Sequence, residues 1–177
     1  MGKSKYWVNV INGWWFILSA LLLLQPALEN GYPILHPDSG SYILFGFLDH
    51  QIPVSRPITY CWLVRHISLY YSLWLVVIFQ SLVMTAFLNM VIYRVVGPKM
   101  SFFLTFILTA ILSLFTGLPL YASYLMPDMW VNISFIGFSF LLMSRKLPFY
   151  WFILIAAIAF YATIVHFSNI PIITGTL

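Results

Sequence analysis

Carboxylates are scarce in this 177-residue chain: Glu29, Asp38, Asp49 and Asp128 are all it has. Only 7% of the residues are charged while 62% are hydrophobic, too little polar surface to coat a soluble domain of this length. A single cysteine, Cys61, excludes an internal disulfide framework and any cysteine-rich metal site. The four histidines, at 36, 50, 66 and 166, never stand at i, i+4, which excludes the helical metal-binding pair. No internal repeat or low-complexity segment is present. The formal net charge of +4 is not a nucleic-acid footprint, because Lys and Arg fall in short pairs between apolar stretches. The start Met1-Gly2-Lys3-Ser4-Lys5-Tyr6 has Tyr6 where a myristoylation signal needs Ser or Thr.

What the chain has instead is long apolar runs. Five read as crossings of roughly 30 Å of hydrocarbon, the fourth of them short: Val8–Leu28, Ser72–Val96, Ser101–Tyr124, Met129–Met143 and Leu147–Phe167. The first is followed by Gln25-Pro26-Ala27-Leu28-Glu29, a poor cleavage site, so it reads as a retained anchor rather than a signal peptide. Lys3/Lys5, Arg94/Lys99 and Arg145/Lys146 occupy alternate ends of these runs. The positive-inside rule then places all three pairs in the cytoplasm, with the amino terminus inside and the carboxyl terminus outside a cell (inner or plasma) membrane. Making Pro57–Phe79 a sixth crossing would bury Arg65-His66 in hydrocarbon and send the other pairs outside, so that topology is rejected.

The expectation is an all-α polytopic membrane protein, a single membrane domain over residues 1–177. The segment Glu29–Tyr71 becomes one long external loop, with interfacial helices over Ser39–His50 and Pro57–Leu69. On this topology all four acids and all four histidines lie on one face or its border. Any function belongs there.

Asp38, in His36-Pro37-Asp38-Ser39-Gly40-Ser41-Tyr42, has two readings. It is either the N-cap of the first interfacial helix or a carboxylate free to act as general base or metal ligand. His36 and Asp38, at i and i+2 of an extended stretch, point the same way. Asp49, one helix further on, would lie about 16 Å from Asp38, so Asp49-His50 reads as a solvated helix end. Arg56 and Arg65 are the only external cations. Each is a phosphate ligand or an anchor to lipid headgroups, with Arg56, at a helix start, leaning towards the ligand role and Arg65 towards the anchor. Asp128 suits the amino-terminal dipole of a helix, and His166 reads as a border residue. A Ser139/His166 protease pairing fails, because the two residues lie near opposite ends of adjacent spans, about 20 Å apart in depth. No cofactor is legible; the acids leave room for a divalent cation.

The order of these features resembles the amino-terminal half of the membrane-embedded C-type glycosyltransferases, the superfamily that includes the protein O-mannosyltransferases. The resemblance runs over residues 8–145 and rests on four elements. They are Pro37-Asp38-Ser39-Gly40-Ser41-Tyr42, Ser55-Arg56-Pro57 entering a surface helix, the early Gln80, and Leu118-Pro119-Leu120-Tyr121 followed by Asp128. It implies sugar transfer from a polyprenyl-phosphate carrier to an acceptor hydroxyl on the external face. Asp38 would be the general base, with Arg56, Arg65, His36 and Asp128 binding substrate. Two departures stand out: Ser39 follows Asp38 where many members carry a second acid, and members usually have eight or more spans. The chain thus reads as the first part of such an enzyme or a reduced homologue with a membrane partner. The alternative is a non-catalytic subunit or scaffold of a larger envelope complex.

Overall fold

The computed structural model describes residues 2–48, 56–143 and 147–166. Eight α-helices, and no strand, are found among them: α1 Gly2–Asn30, α2 Ser39–Phe47, α3 Ile58–Ser68, α4 Trp74–Val96, α5 Ser101–Phe115, α6 Leu118–Ser123, α7 Asp128–Met143 and α8 Phe149–Val165. The chain divides into two compact units, Met1–Ile34 with Val77–Tyr124, and Leu35–Val76 with Leu125–Leu177.

The first unit is held together by a proline defect. Pro26 lies inside α1, where its ring removes one ladder bond and crowds the preceding turn. One residue on, the hydroxyl of Ser123 from α6 enters the opened ladder. It accepts from the Ala27 N–H (3.3 Å) and donates to the Leu23 carbonyl (3.1 Å), the two groups that would otherwise pair. The next turns run on to Asn30, and Gly31 ends the helix in the left-handed region at φ +70°. The fully buried Gln80 of α4 donates to the carbonyls of Ala122 and Tyr124, satisfying the end of α6. Trp15 of α1 packs against Phe103 and Phe106 of α5, each 5.1 Å away between ring centres. Ser101, Thr105 and Thr109, at i, i+4 spacing, turn the small face of α5 inward.

The expected third span, Ser101–Tyr124, is not one helix. Thr116 is extended, and Pro119 at the start of α6 biases Leu118 away from continuing the helix. Among the described residues two helices are long and apolar enough to cross a membrane, Val10–Asn30 and Trp74–Val96. The others, α5, α7 and α8 with 15, 16 and 17 residues, rise only about 22–26 Å.

The second unit pairs α2 with α3 and α7 with α8. Gly46 is what lets the first pair close: a Cβ there would lie 2.8 Å from the Cys61 carbonyl oxygen, so any side chain forces α2 off α3. Tyr42 and the fully buried Tyr60 meet edge to face at 5.0 Å. In the other pair Trp130 meets Tyr161 at 5.6 Å, and the hydroxyls of Ser134 and Thr163 lie 3.3 Å apart. Two hydrogen bonds tie α3 to α8. Thr59 donates to the Ile164 carbonyl (3.1 Å), and Tyr161 donates to the Thr59 carbonyl (3.3 Å).

Candidate functional site

Within the second unit those ties bring four helix ends together: the amino termini of α2, α3 and α7 and the carboxyl terminus of α8. Three amino termini bring the positive ends of their helix dipoles together, a setting that favours anions. Asp38 opens α2, Arg56 stands two residues before α3, Asp128 opens α7 and His166 caps the end of α8.

Asp38 occupies the N-cap position, yet its side chain makes no cap hydrogen bond. Ser39 does the local work instead. The Ser39 hydroxyl accepts from the His36 N–H (2.9 Å), and the Ser39 N–H donates to the His36 carbonyl (2.8 Å), closing the Pro37-Asp38 turn. The Asp38 carboxylate is thus left for Arg56, whose guanidinium donates to Oδ1. Both side chains keep 31% of their surface exposed, so a ligand reaches the pair from outside.

His36 faces the same way. Its Nδ1 accepts the Asp38 backbone N–H at 3.3 Å. With Nδ1 so engaged, the 3.9 Å approach of Asp38 Oδ2 is proximity rather than an ion pair. Arg56 also reaches Tyr42, its Cζ 5.8 Å from the ring centre. Burial pushes the Tyr42 hydroxyl above its ordinary pKa, and Arg56 offsets part of that rise. Burial pushes Tyr60 up further. Both phenols stay protonated near neutrality as hydrogen-bond donors.

Across the site, His166 Nε2 lies 3.5 Å from Asp128 Oδ1. His166 beside it holds the Asp128 carboxyl below the usual range, outweighing partial burial. The field of Asp128 also reaches Tyr42, Tyr60 and His36, so the two carboxylate clusters share one small region.

Four of the five residues singled out from sequence, His36, Asp38, Arg56 and Asp128, therefore meet here. Arg65 does not. It sits in the last turn of α3, with its Cζ 5.2 Å from the Tyr70 ring centre. Asp49 and His50 lie outside the described residues. Among the described residues no group of three or more His, Cys, Asp or Glu side chains is arranged to hold a metal ion. Sequence reasoning missed Tyr42, Tyr60 and the role of His166. Tyr42, four residues after Asp38, faces the same side of one helix turn, and this spacing was a usable signal. His166 was legible only through the hairpin: in antiparallel helices the start of α7 and the end of α8 share one end. No family of proteins, curated protein or solved structure matches this chain.

Proposed function

We propose that this chain is a polytopic membrane protein that transfers a sugar from a polyprenyl-phosphate carrier to an acceptor hydroxyl at the external face. The observation that carries this reading is the Asp38–Arg56 pair at three converging helix amino termini. It offers a cation for a phosphate and a carboxylate not spent on capping. The exposed aromatic and aliphatic surface of α8, including Trp151, Phe152, Ile153 and Leu154, supports the membrane part, since water would penalise such a patch.

In the proposed reaction the donor's phosphate lies against Arg56. That guanidinium has five N–H donors and serves the phosphate while still holding Asp38. The acceptor oxygen attacks the anomeric carbon, and the bond from that carbon to the phosphate oxygen breaks. The bonding electrons leave with the lipid phosphate, where Arg56 and the helix amino termini offset the developing charge. The hydroxyl proton passes to Asp38. A single displacement inverts the anomeric configuration. Across the site Asp128 accepts a hydrogen bond from a sugar hydroxyl, and beside Asp38 the Nε2–H of His36, whose Nδ1 is occupied by the Asp38 N–H, donates to a sugar oxygen.

The five crossings that place this site outside are testable by cysteine accessibility in intact cells, in a Cys61→Ser background. Gly40→Cys and Tyr121→Cys, both at exposed positions, should react with an impermeant thiol reagent, whereas Met100→Cys should be protected until the cells are opened. Labelling of Met100→Cys from outside would overturn the orientation and the external placement of the site.

A further inference from the structure

Beyond α3 the backbone takes an uncommon course. Leu69 and Tyr70 both have positive φ, 52° and 56°, in the left-handed region that glycine normally fills at a helix end. Bulky side chains there are strained, and burial does not compensate. Leu69 is 71% exposed, Tyr70 60% and Tyr71 90%. The turn is nonetheless well braced. The Leu69 N–H donates to the His66 carbonyl, and the N–H groups of Tyr71 and Ser72 both donate to the Ser68 carbonyl. Tyr70 is gripped by Phe47, 5.1 Å between ring centres, and by Arg65 over its face. A braced, strained turn that holds apolar side chains outward marks a feature kept for contact.

Covalent connection fixes the depth of that contact. Tyr71 stands three residues before Trp74, the first residue of the 23-residue apolar helix α4. If α4 crosses the bilayer, residues 69–71 lie at its surface, beside the exposed Trp62 and His66 and the half-buried Arg65. Tyr, Trp and Arg are the residue types of the interfacial belt, where rings sit among headgroups and guanidinium meets lipid phosphate.

We propose that Leu69-Tyr70-Tyr71 is a membrane-dipping knuckle that anchors α3 to the outer leaflet, with Arg65 on lipid phosphate. This rests on the membrane reading above but not on sugar transfer.

Nitroxide labels on Leu69→Cys and Tyr71→Cys test it in liposomes of phosphatidylcholine and phosphatidylglycerol, again in a Cys61→Ser background. Collision rates with oxygen and with a water-soluble nickel chelate report depth. Both labels should lie about 5–10 Å below the phosphates, oxygen-rich and nickel-poor, while a label on Gly40→Cys meets the chelate freely. Nickel access at 69 and 71 equal to that at Gly40 would overturn the knuckle. A label on Ile78→Cys, exposed on α4, separates the two failures. If it too meets the chelate, the membrane reading falls; if it lies in acyl chains, only the knuckle does.

Discussion

Asp38→Asn should lower sugar transfer by about 10²–10⁴-fold, the usual contribution of a general base, while the protein stays folded and still binds its donor. Asparagine keeps an oxygen that accepts from the Arg56 guanidinium, so the contact between α2 and the approach to α3 survives. It cannot take a proton from the acceptor. Because Asp38 contributes no cap hydrogen bond, no loss of activity can be ascribed to an unravelled α2. The measurement is initial-rate transfer from polyprenyl-phosphate sugar by the full chain in proteoliposomes, with helicity and melting checked on the same preparation. Wild-type rates in a folded Asp38→Asn protein would remove Asp38 from the mechanism.

Arg56→Gln should weaken binding of polyprenyl phosphate by about 10–100-fold. A hydrogen bond to a charged group is worth about 1.5–3 kcal/mol, and each 1.4 kcal/mol is tenfold. Arg56→Lys should fall between, since an ammonium keeps the charge but not the planar fork that grips two oxygens. Arg65→Lys should leave this affinity unchanged, because that side chain lies at the other end of α3 against Tyr70. Asp38→Asn should bind the bare lipid phosphate at least as well as wild type, because the carboxylate no longer competes for Arg56. Titration of tritiated polyprenyl phosphate onto the four variants checks the order. Equal affinities for wild type and Arg56→Gln would reduce Arg56 to a structural partner of Asp38.

The helical class was legible in composition and apolar runs, and α2 and α3 fall within the segments expected for them. The break at Thr116-Gly117 was not, for a physical reason. Both α5 and α6 are apolar, so hydropathy runs on without a gap; Pro119 was a local signal of the break, but the hydrogen bonds that seat α6 are remote in sequence. Ser123 fills the gap that Pro26 opens in α1, and Gln80 satisfies the end of α6. Gln80 itself stood out in the sequence, but its structural task as a buried donor to carbonyls did not. Site residues were readable in proportion to how local their geometry is. His36 and Asp38 belong to one turn. Asp38 and Arg56 are 18 residues apart, and their pairing depends on how α2 returns against α3 through the Gly46 contact. Asp128 was read as a dipole partner and His166 as a border residue, each alone; only the antiparallel packing of α7 and α8 brings them together.

Photocrosslinking tests directly the proposal that a lipid phosphate sits where α2 and α3 begin. A polyprenyl phosphate with a photoreactive group in the isoprene unit next to the phosphate is irradiated with the protein in proteoliposomes, and the labelled peptides are sequenced. Attachment is expected within residues 36–42 or 56–60, competed away by unlabelled polyprenyl phosphate and sharply reduced in Arg56→Gln. Attachment confined to α1 or α5, or unaffected by Arg56→Gln, would contradict it.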